Sequence, residues 1–326
     1  MPFPLPLLRT TALACATALC ATAAFANNGS TNHLSAIQDT SASTSAPAPA
    51  VDVTRIVEVN GSERIDYAGK LRMLSQRIPA SACNWAAGIG GWESIGYLQA
   101  SVGEFNRIMN ALENGDVFIS IRAPERDRRV LGRINQMNTA WEPIKTDMRA
   151  MVEANDPSID QVQYTVQAAP KLLDITQALV GDLIGEYADP TALLAADAVV
   201  LDIVGRQRMM PQIISKSACM AMEGIDAADA RTELAEAMAL YDLSMGALQN
   251  GMPEVGVTPP PNDATRTGLD EIAGRWQAVR PLLEQVATGT VLSNADREHV
   301  YSEMNHLTAA MNTVSADYAK ASKLGL

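Results

Sequence analysis

IDYAGKLRMLSQRIPASAC, residues 65–83, returns as LDIVGRQRMMPQIISKSAC, residues 201–219, with nine of nineteen positions identical and a constant offset of 136. The shared residues are Asp66, Gly69, Arg72, Met73, Gln76, Ile78, Ser81, Ala82 and Cys83, repeated as Asp202, Gly205, Arg208, Met209, Gln212, Ile214, Ser217, Ala218 and Cys219. The chain is therefore a tandem repeat. On a 3.6-residue period Gly69, Arg72, Met73 and Gln76 fall on one helical face, because steps of three, four and seven return to the same side. An apolar stripe alone would be bundle core. A guanidinium set in that stripe beside a glycine and a carboxamide requires a partner.

The correspondence extends beyond the two motifs. Met109, Ala111, Leu112, Asn114 and Gly115 return at the same offset as Met245, Ala247, Leu248, Asn250 and Gly251, and Trp141 returns as Trp276. Alanine, leucine, methionine and glutamate are plentiful and β-branched runs are few, so the fold class is all-α. Helical segments are expected over about 54–87, 92–114, 125–154 and 157–188, with Pro124 and Asp156-Pro157 as helix-starting signals. The second unit repeats this order. Its last helix opens at Ser293 with Asp296 in a capping-box-like pattern and carries Val300, Met304, Leu307, Met311, Val314 and Tyr318. That four-three spacing belongs to a left-handed helical bundle.

Four antiparallel helices bring the chain back to the level at which it started. Asp189-Pro190 reads as an N-cap and first-turn proline, which starts a new helix and places the second bundle beside the first, pointing the same way. The alternative is one long helix kinked at Pro190 and two bundles end to end. The expected architecture is thus two tandem up-down four-helix bundles, residues 52–189 and 190–326, side by side as a pseudo-twofold parallel pair. Pro79 and Pro211 lie inside the motif helices and free the carbonyls of Ser75 and Gln207, as a tolerated kink or a widened turn beside the site.

The N-terminus carries Arg9, an apolar run over residues 10–24 and Ala24-Phe25-Ala26, the pattern of a signal peptide cleaved after Ala26. Export to the periplasm is expected, with residues 27–51, rich in Ser, Thr, Ala and Pro, as a disordered linker. No later run reaches the roughly 18–20 apolar residues that cross a bilayer, so no membrane anchor is expected in the mature chain. The full sequence holds 25 Lys and Arg against 37 Asp and Glu, a formal charge of −12. An acidic protein is a poor match for nucleic acid and has no general field that gathers small anions. An anion site must therefore come from cations placed together locally.

The segment Ala68–Arg77, AGKLRMLSQR, resembles the P-box of the nitrate/nitrite sensor kinases and of the type IV pilus chemotaxis transducer (PilJ) N-terminal domain, whose signature reads approximately AGxxRMxSxR. The second copy, VGRQRMMPQI, departs from it at Val204, Pro211 and Ile213. The resemblance implies a periplasmic four-helix bundle that pairs in parallel, with the first motif arginine of each partner binding one small anion between the two first helices. The implied ligand site comprises Arg72, Arg208, Gly69, Gly205, Met73, Met209, Gln76 and Gln212, with nitrate or nitrite as the anion. Planar oxygens suit paired guanidinium forks, and two guanidiniums about 6 Å apart repel by roughly 3 kcal/mol at an effective dielectric of 20, which a monoanion would relieve. Arg77 faces Ile213 in the repeat, so a structural role is expected for it.

His299, Glu303 and His306 share a helical face at steps of four and three, but the face borders the apolar seam and lacks an orienting shell. Neither metal, cofactor nor enzymatic chemistry is read from the sequence. Cys83 and Cys219 each lie eleven residues, nearly three turns, after the motif arginine. If the arginines face each other the cysteines do too, and a Cys83–Cys219 disulfide becomes possible in an oxidising compartment. The expected function is an exported sensory or binding module for a small inorganic anion, lacking its own signalling domain and passing its signal to an envelope receptor. The alternative is a structural or adaptor protein of the cell envelope, pilus-associated or not, with a degenerate site.

Overall fold

The computed structural model describes residues Gly61–Tyr187 and Ala195–Leu324. The expected signal peptide, the 27–51 linker, the first residues of the first helix and the Asp189-Pro190 join lie outside them. The described residues form eight α-helices: α1 Gly61–Ala86, α2 Gly91–Asn114, α3 Arg128–Ala154, α4 Ile159–Tyr187, α5 Ala195–Glu223, α6 Ala227–Asn250, α7 Asp263–Ala287 and α8 Asn294–Leu324. Short 3-10 turns, Val117–Ile119 and Pro253–Val255, follow α2 and α6.

Within the first unit α1 packs on α2 and α4, and α3 on both of those; α5 to α8 repeat the arrangement. The core is the apolar stripe of each helix. In α8 the four-three series Val300, Met304, Leu307, Met311, Val314 and Tyr318 is buried throughout and continues to Ala321. Each unit holds one aromatic pair at the same place. Phe105 stacks on Trp141 with centroids 4.2 Å apart, and Tyr241 tilts against Trp276 at 4.6 Å. Both indoles donate to the next residue of the facing helix, Nε1 of Trp141 to Asn106 at 2.8 Å and Nε1 of Trp276 to Asp242 at 2.6 Å.

Helix ends follow local chemistry. Gly115 and Gly251 take φ of 83° and 79°, a region open to glycine, and their N–H groups close the preceding helices on Ala111 and Ala247. Ser293 accepts from the Asp296 amide at the start of α8. The expected start of α3 near Pro124 is corrected to Arg128, with Asp127 as its cap. The cause is Glu125, which turns inward to meet Arg64 of α1 at 3.2 Å and draws the chain out of helical geometry for three more residues. Likewise α4 opens at Ile159, two residues beyond Pro157. α1 and α5 run unbroken through Pro79 and Pro211.

The two units lie side by side through α1 and α5. Cys83 and Cys219 form a disulfide with Cα atoms 6.2 Å apart, and the long side chain of Arg72, eleven residues before Cys83, meets Asp202, seventeen before Cys219. Contacts at both heights require α1 and α5 to be parallel. The turns after α2 and α6 therefore sit at the same end of the molecule, level with the N-terminal ends of α1 and α5.

Candidate functional site

The α1–α5 seam brings the two motif faces together. Arg72 and Arg208 cross it in opposite directions. Arg72 Nη1 lies 3.3 Å from Asp202 Oδ1, and Arg208 Nη1 and Nη2 lie 3.5 Å from Asp66 Oδ1. Each guanidinium also passes over the glycine of the opposite helix. A Cβ on Gly205 would lie 3.5 Å from Arg72 Nη2, and one on Gly69 would lie 3.6 Å from Arg208 Nη2 and 3.7 Å from Arg72 Nη2. Both guanidiniums thus converge above the two bare Cα atoms, where a methyl group would sit in ordinary van der Waals contact with them.

The charges are close and dry. Arg72 and Arg208 expose only 11% and 12% of their side chains, whereas Asp66 and Asp202 expose 62% and 46%. The arginine pair is therefore compensated from its solvent edge. Burial pulls the Arg72 pKa below its ordinary value; the Asp202 carboxylate opposes the shift, and the neighbouring Arg206 and Arg208 charges add to it. Arg72 Nε is buried and has no hydrogen-bond partner among the described residues. A buried N–H donor of a cation left without an acceptor is costly. The crossed carboxylates, which single-helix periodicity does not reveal, thus take part of the role expected of a bound anion.

The remaining residues of the expected site separate. Met73 and Met209 are buried in the apolar core. Gln76 is buried at the seam, where its Oε1 accepts from Lys216 Nζ at 3.1 Å. Gln212 instead turns onto α8 and donates to Thr308 Oγ1 at 2.8 Å and Asn305 Oδ1 at 3.3 Å. Pseudo-symmetry therefore holds for the arginine, glycine and aspartate positions and fails at the glutamine. Arg77 stacks its guanidinium 4.4 Å from the Tyr97 ring centroid and donates to Asn305 at 3.2 Å, tying α1 to α2 and α8. Glu303 accepts from Arg275 at 3.3 Å, so the carboxylate between His299 and His306 already has a partner.

Two turns beyond Arg208, Lys216 forms a second polar layer. Its side chain is 3% exposed and bridges Gln76 of α1 to Glu233 Oε1 of α6 at 2.9 Å. Ser217 Oγ donates to Glu233 Oε2 at 2.6 Å. Asn84 of α1 reaches Ser215 Oγ at 3.5 Å, beside the disulfide. Lys216 corresponds to Ala80 in the first copy, so comparison of the repeats passes over it.

A family model described as the type IV pili methyl-accepting chemotaxis transducer N-terminal region matches this chain twice, over residues 58–166 and 192–301. Protein PilJ of Pseudomonas aeruginosa is 24% identical over 225 residues, which is 68% of this chain and 31% of the relative. The chain thus aligns with about a third of the length of that curated relative.

Proposed function

The chain belongs to the family of type IV pili methyl-accepting chemotaxis transducer N-terminal domains, and on that premise we propose that it is a sensory or binding module holding one small inorganic monoanion between its two units. The units, residues 52–189 and 190–326, act as the two halves of a parallel pair joined in one chain. The observation that carries the proposal is the convergence of Arg72 and Arg208 over Gly69 and Gly205, with the buried Arg72 Nε–H unpartnered among the described residues. A planar anion such as nitrate or nitrite offers three or two in-plane acceptors to two guanidinium forks, and low local dielectric strengthens the contact.

Export to the periplasm is part of the same proposal. It is supported by the N-terminal signal pattern and by the disulfide, which persists in an oxidising compartment. Among the described residues no helix is long and apolar enough to cross a membrane. In the same proposal, output passes through contact with an envelope receptor or a pilus-associated protein.

The crossed ion pairs favour a second function, an envelope adaptor in which the arginines only join the two halves. Calorimetry with nitrate and nitrite against chloride at matched ionic strength separates the two. The wild type is expected to bind, and saturating anion to stabilise the fold by about 2.7 kcal/mol at a hundredfold excess over Kd. Arg72→Ala/Arg208→Ala removes the effect. Absence of anion-specific heat or stabilisation in the wild type sinks the sensor proposal in favour of the adaptor.

A further inference from the structure

The turn after α2 departs from its repeat in a way that the seam does not explain. It spans residues 115–127 and is pinned at its neck by the antiparallel bridge between Asp116 and Ile121, as its counterpart is by Met252 and Val257. At the tip Val117 and Phe118 are 68% and 90% exposed. Arg122, Arg126 and Arg128 follow within ten residues, are exposed, and make no ion pair among the described residues. At the same offset of 136 the second unit carries Glu254 for Phe118, Thr258 for Arg122, Asn262 for Arg126 and Ala264 for Arg128. The combination therefore belongs to the first unit alone and is not a by-product of the repeat.

Nearby acids are largely engaged. Asp116 is held by Arg107 at 2.9 Å, Glu125 is buried against Arg64, and Asp127 caps α3. Asp182 takes the neighbouring Arg129 and Arg133. The half-buried Glu113 stands against the three free arginines. Three exposed arginines thus follow an exposed aromatic tip within ten residues, in a chain whose overall charge is −12. Distant acids do not cancel it at a surface, because charges beyond about 8–10 Å are screened at physiological salt.

We propose that this turn is a docking knob for an anionic phospholipid surface. Phe118 and Val117, 90% and 68% exposed, enter a soft headgroup layer without a preformed pocket, while the arginines meet lipid phosphates. Charge complementarity selects an anionic bilayer over a neutral one, and the turn lies at one end of the bundles, level with the start of α1. The second unit, with Glu254 at its tip, stays off the surface.

The test is co-sedimentation of the full chain with vesicles of phosphatidylcholine, alone or mixed with phosphatidylglycerol. Binding is expected only to the anionic vesicles and weakens as salt rises. Each arginine contributes about fivefold, so Arg122→Ser/Arg126→Ser/Arg128→Ser weakens partitioning roughly a hundredfold. Phe118→Glu weakens it as well. All four side chains are exposed, and circular dichroism checks that the variants fold. A Phe118→Trp variant is quenched by brominated lipid, whereas Trp92, 83% exposed at the opposite end, is not. Equal binding to neutral vesicles, binding undiminished in the triple variant, or patch-dependent capture of a purified envelope protein without vesicle binding would each overturn the proposal.

Discussion

Arg72 and Gly205 stand on opposite helices with the guanidinium of one over the bare Cα of the other, 3.5 Å from where a Cβ would be. That distance is ordinary van der Waals contact, so a methyl group fits against the guanidinium but takes the space above the glycines that the proposed anion needs. Gly69→Ala and Gly205→Ala are therefore expected to leave stability unchanged or raise it by up to about 1 kcal/mol, since alanine is the better helix former. Anion affinity is expected to fall by about tenfold, near 1.4 kcal/mol. Thermal melts with and without nitrate read both effects, and a variant that gains stability while keeping full anion response would place the ligand elsewhere.

Asp66 and Asp202 compete with any anion for the same guanidiniums. Both carboxylates are substantially exposed, so each pair is worth about 0–1 kcal/mol to the fold. Asp66→Asn/Asp202→Asn is expected to tighten monoanion binding severalfold with little loss of stability. Titration calorimetry on the double variant decides it. Weaker binding would show that the aspartates orient the arginines and do not compete for them.

The Cys83–Cys219 link closes a loop of 136 residues and joins the two units directly above the arginine layer. Chain entropy for such a loop gives about 5 kcal/mol as an upper figure, and measured native disulfides fall nearer 2–4 kcal/mol. Denaturant midpoints with and without reductant, and for Cys83→Ala/Cys219→Ala, should differ by that amount. Both sulfurs are buried, at 1% exposure each. Reduction under native conditions should therefore be slow and accelerate in mild denaturant.

High pH is expected to destabilise the fold through its buried tyrosines. Burial pushes Tyr301 and Tyr318 up to about 12 and raises Tyr187 and Tyr241 further, with the Glu125 hydrogen bond adding to the shift at Tyr187. An unfolded tyrosine ionises near 10. Below that pH both states are protonated and the contribution is fully present. Between about 10 and 12 the unfolded chain binds fewer protons, so stability falls by about 1.4 kcal/mol per pH unit for each tyrosine. The Tyr241 hydroxyl is buried without a hydrogen-bond partner among the described residues. Tyr241→Phe should be neutral or stabilising at pH 7 and make the alkaline slope shallower.

The recurrence of Gly, Arg and Cys at one offset made the repeat legible, but two bundles end to end would show it equally. The side-by-side expectation comes from the Asp189-Pro190 cap signal and the parallel pairing that the resemblance implies, and the Cys83–Cys219 bond is what pairs the two helices. The ion pairs were not legible. Asp66 and Arg72 are six residues apart, about 240° around one helix, so face logic separates them. They meet only because each reaches across to the other repeat. Lys216 was missed because it breaks the repeat, and Gln212, expected at the seam, turns away from it because its partners on α8, Asn305 and Thr308, lie some ninety residues on. Pro124 suggested a helix start that Glu125 overrides through a partner sixty-one residues earlier.

That partner, Arg64, carries the last prediction. Its side chain and that of Glu125 are both 0% exposed, and the pair is closed by further bonds. Arg64 donates to the carbonyls of Leu112 and Ala123, while Glu125 accepts from Tyr187 Oη at 2.5 Å and from the amides of Arg126 and Asp127. In the second unit the equivalent positions are Val200 and Pro261, and the Tyr318 hydroxyl reaches the Leu248 carbonyl at 3.5 Å. The same corner of the bundle is thus built once with charges and once without. Removing one partner of a buried pair costs about 3–5 kcal/mol, because the other is left uncompensated, whereas replacing both by apolar groups is often close to neutral. Arg64→Leu and Glu125→Leu should each lower stability by about that much. The double variant should recover part of the loss and show a coupling of about 1–3 kcal/mol in a denaturant-melt cycle. Simple additivity would mean that the backbone bonds, and not the ion pair, hold this corner.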